Sequence, residues 1–344
     1  MVNNPYILAI ESSCDDTSAA VLHGRRVLSN VIASQSIHNL YGGVVPELAS
    51  RAHQINIVPV VDFALKKSGI PIHKLHAIAF TRGPGLQGSL LVGASLAKSL
   101  AQALGLPLIG VNHLHGHLLA HMVSEDVGGS AADVFPQLCL LVSGGHTQLV
   151  MVHDYLNYEV LGRTIDDAAG EAFDKCAKVM GLDYPGGPVV DRLASKGNEN
   201  AFSFGLPKIE GLNYSFSGLK TSFLYTLRDL SKNDAAFVQN NLNDLCASLQ
   251  KAIIDVLMSK LKRAIRETGV RTIAVSGGVA ANSQLRSGLT TLAAKQDLKL
   301  FLPELAFTTD NAAMIGMVAY YHYLTRKFNA FDVITDARLD IGDF

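Results

Sequence analysis

Apolar runs alternate with polar turns in a design that occurs three times along the chain. The first copy spans residues 6–22 and turns through the polar segment 11–17. The second spans residues 138–152 and turns through Ser-Gly-Gly-His-Thr at 143–147. Apolar runs that meet at Gly, Ser and Asp turns predict β-hairpins. The third copy starts with an apolar run at residue 272 and reaches the same Ser-Gly-Gly turn at 276–278, but its pattern then changes to that of a helix.

Helical periodicity fills much of the chain between these hairpins. Residues 89–104 are rich in Leu and Ala and carry little charge, which predicts a helix buried on nearly all sides. Between residues 246 and 264, apolar side chains recur at steps of three and four, which predicts an amphipathic helix. Residues 47–67 also have a helical pattern, and Pro59 within them predicts a kink or a break.

The two hairpins begin the two halves of the chain, so we expect two related lobes. At about 150 residues per domain, a chain of 344 residues also indicates two domains. The predicted linker is the Ser-, Gly- and Asp-rich segment 124–133. It assigns residues 1–132 to an N-terminal lobe and residues 133–321 to a C-terminal lobe. We expect the last segment, residues 322–344, to pack back on the first lobe.

Composition excludes several classes of protein. A chain that is 48% hydrophobic, with 29 basic and 30 acidic side chains, does not belong to the disordered class. A net charge of −1 argues against a protein that coats nucleic acid, so a nucleic-acid substrate would need a local basic patch. No apolar run reaches the roughly 20 residues that span a membrane, and the start lacks a secretory signal. The four cysteines form no Cys-x-x-Cys pair. We expect a cytoplasmic α/β enzyme with reduced thiols.

The segment from Gly83 to Gly88 matches G-x-G-x-x-G between a predicted strand and a predicted helix. A dinucleotide site also requires an acidic residue about 20 positions later. No Asp or Glu occurs between residues 89 and 124, which disfavours a nicotinamide site. The alternatives are a tight strand-to-helix turn or a loop whose amides meet an anion.

His113 and His117 are four residues apart, so on a helix they share one face and suit two ligands of one metal. Leu114 takes the position of the glutamate in H-E-x-x-H, so a metalloprotease mechanism lacks its general base. Histidines that fill a polar pocket remain an equal alternative. A third ligand should be a carboxylate, and Asp310 is the candidate, although its place before an apolar run also suits a helix N-cap.

The turn at residues 143–147 offers glycine amides rather than a nucleophile. The chain contains no G-x-S-x-G segment, which disfavours a serine nucleophile. It also contains no Gly-Lys pair, which excludes a Walker A loop. Two glycines after a strand favour N–H groups that cradle a phosphate or carboxylate, and the same holds for the turn at 276–278. Asp174, within a predicted helix, could accept hydrogen bonds from ribose hydroxyls.

The motifs lie in segments spread along the chain, which are ESSCDDT at 11–17, GGVVPELASR at 42–51, GPG at 83–85, HLHGH at 113–117, LVSGGHT at 141–147, DDAAGEAFDK at 166–175, YPGGP at 184–188, SFSGLK at 215–220, GGVAAN at 277–282 and TDN at 309–311. Together these segments resemble the superfamily of actin, sugar kinases and heat-shock chaperone ATPases (ASKHA), and within it the TsaD family (Gcp or YgjD type). The resemblance covers nearly the whole chain.

The resemblance implies an α/β, two-lobed actin-like fold of duplicated ribonuclease H-like domains with an active-site cleft between the lobes. It implies an acyltransferase that moves L-threonylcarbamoyl from threonylcarbamoyl-AMP to N6 of adenosine 37, in tRNAs that read codons beginning with A, and releases AMP. It also implies a divalent metal, Fe2+ in preference to Zn2+, and binding of ATP, ADP or AMP. The implied partners are tRNA, a paralogous TsaB-type subunit and a small P-loop ATPase of TsaE type, with no membrane.

The site residues implied by the resemblance fall into two groups. The metal ligands are His113, His117 and Asp310. The nucleotide or adenylate contacts are Leu141, Val142, Ser143, Gly144, Gly145, Asp174, Gly187, Asp191 and Asn282. From their place on the first turn, Glu11 or Asp15 is the hypothetical group that orients or deprotonates the attacking amine. Asp16 and His115 depart from the family pattern, because acids (Glu for Asp16) are frequent at both positions.

Three other functions compete with this hypothesis. A small-molecule kinase of the same superfamily is the main alternative, although it does not ordinarily need an H-x-x-x-H metal site. A metalloprotease lacks the glutamate of H-E-x-x-H. A non-enzymatic scaffold subunit does not require the metal motif. By analogy, we expect partners to dock on helices of the first lobe, including residues 47–67.

Overall fold

The computed structural model describes residues 2–123, 134–206, 209–232, 234 and 236–343. Contacts divide the chain into two units. The first unit combines Met1–Asp133, Asp154–Tyr158 and Pro303–Phe344, and the second combines Val134–His153 and Glu159–Leu302. The predicted linker, residues 124–133, lies outside the described residues, and the boundary placed there stays a prediction.

A mixed sheet of five strands forms the centre of the described part of the first unit. Its strands are β1 (Tyr6–Glu11), β2 (Thr17–His23), β3 (Arg26–Ala33), β4 (Ala77–Gly83) and β5 (Leu108–Asn112), in the order β3-β2-β1-β4-β5. The predicted hairpin of β1 and β2 is antiparallel, with Ile7 opposite Leu22. Strand β4 runs parallel to β1, and β5 runs parallel to β4. The carboxyl ends of β1, β4 and β5 therefore meet at one edge of the sheet.

The second sheet repeats this topology. Its described strands are β6 (Gln137–Val142), β7 (Thr147–Asp154), β8 (Asn157–Arg163), β9 (Thr272–Ser276) and β10 (Lys299–Phe301), in the order β10-β9-β6-β7-β8. Strands β6 and β7 are antiparallel, β9 is parallel to β6, and β10 is parallel to β9. Read from β8, the strands follow one another as the third, second, first, fourth and fifth of their sheet in chain order, which is also the order in the first sheet. The predicted duplication of one α/β unit is confirmed.

The helices connect and cover these sheets. Those within the described residues are α1 (Pro46–Ser68), α2 (Gln87–Leu104), α3 (His113–Leu119), α4 (Ala169–Val179), α5 (Gly186–Ala194), α6 (Ser217–Leu230), α7 (Phe237–Asn240), α8 (Leu242–Thr268), α9 (Ser283–Gln296) and α10 (Ala312–Leu324). None of these helices combines the length and the apolar character that a membrane crossing requires.

Helix α1 continues through Pro59, so the predicted break does not occur. Proline removes the hydrogen bond to the carbonyl four residues earlier, which here belongs to Ile55. Both residues lie on the exposed side of the helix, where Ile55 is 74% exposed. Water can therefore satisfy that carbonyl, and the buried side of α1 keeps its contacts with the sheet.

The turn from β4 into α2 packs tightly against backbone. The Gly85 amide donates to the Ala337 carbonyl at 3.2 Å, and the Leu86 amide donates to the Ser13 carbonyl at 2.7 Å. A Cβ on Gly83 would collide with the Asp336 carbonyl, and one on Gly85 with the Ser13 carbonyl. Of the alternatives for the G-x-G-x-x-G segment, the tight turn accounts for these glycines, because neither position has room for a Cβ. The amides of Gly85 and Leu86 are already bonded to protein carbonyls, which disfavours an anion there.

The segment that returns to the first unit begins at Pro303, earlier than the expected residue 322. The reason is α10, which is apolar on nearly all sides and has its residues from Ala312 to Val318 all buried. Such a helix needs cover all round, and within the first unit it packs on strands of the first sheet and against α3. Gly316 allows a close approach, because a Cβ there would collide with the Leu22 side chain.

Phe80 tests the core of the first unit, because this β4 side chain is fully buried. We expect Phe80→Ala to lower the free energy of unfolding by about 3–5 kcal/mol, since it removes buried apolar surface and leaves a cavity. Phe331, 47% exposed, supplies the matched control Phe331→Ala, for which we expect a change below about 0.5 kcal/mol. Urea unfolding measures both, and equal losses would contradict the assigned core.

Candidate metal centre

Helix α3 begins at His113 because the residue before it caps the helix. Asn112 ends β5, and its side-chain oxygen accepts a hydrogen bond from the Leu114 amide at 2.9 Å. The cap places His113 and His117 on one face of a short helix at the carboxyl edge of the sheet. His115 takes a different direction and bonds the Ile341 carbonyl through Nε2 at 2.6 Å.

Asp310 meets this face from the segment that precedes α10. Its Oδ1 lies 3.4 Å from Nε2 of His113 and 3.1 Å from Nε2 of His117. The alternative role of Asp310 as an N-cap is filled by Asn311, whose side chain accepts a hydrogen bond from the Met314 amide at 3.0 Å. Asp310 is therefore available to the two histidines.

The three side chains fit a divalent metal ion. One ligand atom from each of His113, His117 and Asp310 lies within 4.8 Å of the other two. The histidine side chains are buried, being 9% and 1% exposed, whereas that of Asp310 is 28% exposed. Two imidazoles and one carboxylate form the donor set of non-haem Fe2+ sites, and Zn2+ accepts the same atoms.

Glu11 stands directly behind His113. This fully buried carboxylate at the end of β1 accepts from the Ser13 amide at 2.5 Å and from the Thr81 hydroxyl at the end of β4. Its Oε2 lies 3.2 Å from Nδ1 of His113. Ser13 Oγ lies at the same distance from that nitrogen.

Electrostatics in the centre favour a cation between two carboxylates. Burial lowers the pKa of His113, but Asp310 and Glu11 outweigh it and raise that pKa well above the usual range. Burial raises the pKa of Asp310, yet His113 and His117 hold it well below its ordinary value. The pKa of Glu11 is also lowered, because His113 outweighs the effect of burial. Both carboxylates are thus ionised at neutral pH.

The first turn, which occupies residues 12–16 between β1 and β2 in the structure, is held by hydrogen bonds from two helices. His53 of α1 and Ser89 of α2 both bond the Cys14 carbonyl at 3.0 Å. Burial, followed by the charge of Asp15, raises the pKa of the Cys14 thiol, so the thiol stays protonated. Asp15 is half-buried. Burial also raises the pKa of Asp16 to about 6.

In the second unit, the predicted nucleotide residues form three groups. Leu141 and Val142 end β6 and are buried, and Ser143, Gly144 and Gly145 follow in the turn. A Cβ on either glycine would meet nothing within 4 Å, so space lies beside both.

The second group contains Asp174 and Gly187. Oδ1 of Asp174 accepts from the amides of Gly186 and Gly187 at 2.8 and 3.3 Å. The pKa of this carboxyl is raised, because burial outweighs those two hydrogen bonds.

The third group joins Asp191 to Asn282 through Gln250, which the sequence did not indicate. Gln250 donates to Asp191 at 3.0 Å and accepts from the Asn282 amide group at 2.7 Å. Ser283 Oγ donates to the same carboxylate at 2.7 Å. Gln250 lies at a buried position of α8, and its polarity within an apolar stripe is the signal that could have indicated it.

Two units that repeat one mixed sheet, each opening with a hairpin, define an actin-like fold of the ASKHA type. Solved structures of low sequence identity share this fold. HypF of T. kodakarensis has a TM-score of 0.62 at 15% identity, over 96% of this chain and 50% of that chain. Component A of the Acidaminococcus fermentans (R)-2-hydroxyglutaryl-CoA dehydratase has a TM-score of 0.51 at 14% identity, over 93% of this chain and 99% of that chain.

The family model described as "TsaD: tRNA N6-adenosine threonylcarbamoyltransferase" matches residues 26–317. A protein of that name from Porphyromonas gingivalis is 56% identical over 99% of this chain and 100% of its own length. Another, from Phocaeicola vulgatus, is 56% identical over 97% of this chain and 99% of its own length. The chain therefore belongs to the TsaD family, as its motifs predict, and is a transferase.

Asp16 gives a test of the electrostatics. Its folded pKa of about 6 lies above the ordinary value of 3.8, so the folded state binds the proton more tightly than the unfolded state. The cost of burying the ionised carboxyl is absent below about pH 4 and complete above about pH 6. We expect Asp16→Asn to be more stable than the wild type by about 1 kcal/mol at pH 8, after allowance for partial exposure, and this advantage to vanish at pH 4.

Thermal unfolding in the presence of a chelator measures this difference at both pH values. The exposed Asp332 supplies the control Asp332→Asn, for which we expect no such change between pH 8 and pH 4. An advantage of Asp16→Asn that is equal at the two pH values would show that charge burial is not its cause.

Proposed function

We propose that this chain transfers L-threonylcarbamoyl from threonylcarbamoyl-AMP to N6 of adenosine 37, in tRNAs that read codons beginning with A, and releases AMP. The observation that carries the proposal is the convergence of His113, His117 and Asp310 beside the first turn in a chain of this family. The relatives named tRNA N6-adenosine threonylcarbamoyltransferase match over 100% and 99% of their own lengths, which supports the same activity here.

The reaction requires alignment of the two reactants and stabilisation of the charge that develops, and it does not require a covalent nucleophile. The acyl-adenylate is already activated, so the enzyme must align the amine with the carbonyl and neutralise the leaving phosphate. A divalent metal on the three ligands, Fe2+ or alternatively Zn2+, would supply Lewis-acid polarisation of a phosphate or carbonyl oxygen. The chain's own residues hold the reactants and the proton.

The two acids of the first-turn hypothesis differ in what they can reach. Both oxygens of Glu11 are occupied within the protein, and the side chain is fully buried. Asp15 is half-buried on the first turn. Asp15 is therefore the better candidate to orient or deprotonate the attacking amine, because a base must come within hydrogen-bond reach of the proton it takes.

For the nucleotide, we propose that the turn Ser143-Gly144-Gly145 receives phosphate through its amides, aided by the open space beside both glycines. Asp174 with Gly187, and Asp191 with Asn282, would hold ribose and adenine. The network through Gln250 supports the second pair, because it fixes both side chains in place. These contacts would bind the adenylate and also ATP, ADP or AMP.

Partners would complete the machinery in the cytoplasm. Helices α1 and α2 present an apolar surface, with Ile55 74%, Val58 60% and Leu91 50% exposed. An exposed patch of this kind marks an interaction surface, and we propose that a TsaB-type subunit docks there. A TsaE-type ATPase would join the complex. Since the net charge is −1, a local basic patch and the partner subunits would share the binding of tRNA.

Incubation with threonylcarbamoyl-AMP and unmodified tRNA, with the partner proteins, tests the activity. We expect threonylcarbamoyladenosine in the tRNA digest by mass spectrometry. A chelator, which removes the metal ion, and Asp310→Asn, which removes the carboxylate ligand, should each lower its yield at least about tenfold. Asp332→Asn serves as the exposed carboxylate control and should retain full turnover.

Failure to form the modified adenosine with all partners present would sink the proposal. ATP-dependent phosphorylation of a small molecule that does not require a metal ion bound by His113 would favour the kinase alternative. Cleavage of a protein substrate would favour the protease.

Nucleotide binding can be tested on the chain alone. We expect Asp191→Ala to weaken AMP binding about tenfold, or about 1.4 kcal/mol, because the change releases Ser283 and Gln250 from their shared anchor. Glu267 pairs with Arg263 on the surface of α8, and Glu267→Gln should bind AMP like the wild type. Calorimetry gives both affinities, and an unchanged Asp191→Ala would remove this residue from the nucleotide site.

A further inference from the structure

The two ring nitrogens of His113 face different partners. Nε2 lies 3.4 Å from Oδ1 of Asp310, on the side where a metal would bind. Nδ1 lies 3.2 Å from Oε2 of Glu11 and 3.2 Å from Oγ of Ser13. A neutral imidazole carries one proton, so Nε2 can act as a ligand only when the proton is on Nδ1.

Glu11 and Ser13 differ in the tautomer that each favours. An ionised carboxylate only accepts, so Glu11 requires Nδ1–H and leaves the Nε2 lone pair for a metal. A serine hydroxyl can also donate, and a donor at Nδ1 would place the proton on Nε2, where no ligand bond can form. The choice between the tautomers therefore depends on Glu11.

The surroundings fix the direction of the Glu11 carboxylate. Ser13 N–H donates to Oε1 at 2.5 Å, the Thr81 hydroxyl donates to Oε2, and the side chain is fully buried. These donors come from the first turn and from the end of β4, two segments joined to β1 by the sheet and its hairpin. A carboxylate held in this way can hold an imidazole ring in turn.

His117 has no equivalent support. Its Nδ1 is buried without a hydrogen-bond partner among the described residues, while its Nε2 faces Asp310. The two histidines are thus unequal, and only His113 is paired with a carboxylate behind its ring within this part of the chain. Loss of Glu11 should affect the centre through one ligand and leave the other in place.

We propose that Glu11 is a positioning residue, which fixes the tautomer and ring direction of His113 and thereby raises the affinity of the centre for divalent metal. Thr81 supports it by holding the carboxylate. The inference rests on the metal centre of the proposed function, but on no step of the reaction. Partners of this kind are worth about 10- to 100-fold in metal affinity.

Titration of the metal-free chain with Co2+ tests the proposal, with the visible absorption of bound Co2+ as the readout. We expect Glu11→Gln to weaken Co2+ binding about 10- to 100-fold and to reach a wild-type spectrum at saturation, because all three ligands remain. Thr81→Val should give a smaller loss. Ser13→Ala, the matched control on the other partner of Nδ1, should bind Co2+ like the wild type.

Thermal unfolding with a chelator separates positioning from misfolding, since Glu11→Gln should keep a cooperative transition. If Glu11→Gln does not fold, the comparison of Thr81→Val with Ser13→Ala decides the question by itself. Wild-type affinity in Glu11→Gln, or a loss in Ser13→Ala alone, would overturn this inference while leaving the centre intact. A wild-type chain that binds no Co2+ would overturn the metal centre as well. Because no tRNA or adenylate is present, failure of the proposed reaction would be seen separately.

Discussion

The parallel pairing of β1, β4 and β5 is the constraint on which the candidate centre depends. It brings the carboxyl ends of three strands to one edge, where Glu11 ends β1, Thr81 lies near the end of β4 and His113 follows β5. These residues are distant in sequence, since Glu11 and His113 are 102 positions apart. Rigid strands fix their separation better than loops could, which suits a site that must hold ligands in one geometry.

Charge explains why such a site needs a cation. Glu11 and Asp310 are both ionised, as their lowered pKa values indicate, and two carboxylates in a largely buried region repel each other strongly. In the metal-free chain, the raised pKa of His113 keeps its imidazole protonated, and this ring supplies one positive charge. A divalent ion would balance both carboxylates and leave both imidazoles neutral, which is the form in which they act as ligands.

Local patterns predicted the hairpins, the duplication and the shared face of His113 and His117, because these follow from a period, a turn or a cap within a few residues. Relations across the sheet were not accessible in this way. The pairing of Glu11 with His113 depends on strand order, and Gln250 reaches Asp191 only after α8 is placed. The sequence also could not decide whether Asp310 is a metal ligand or a helix N-cap. Asn311 beside it is an equally good N-cap by residue type, and only the structure shows that Asn311 caps α10.

The repeated topology shows how one scaffold supports two chemistries. In the first unit, the carboxyl edge of the sheet carries carboxylate and imidazole side chains, which attract a cation. At the corresponding edge of the second unit, β6 and β9 end in glycine turns, and Gly277 lies so close to the Val142 carbonyl that no Cβ fits. Such turns expose amides, which attract an anion. The same edge of the repeated sheet therefore suits a cation in the first unit and an anion in the second, because the residues at the strand ends differ while the topology is kept.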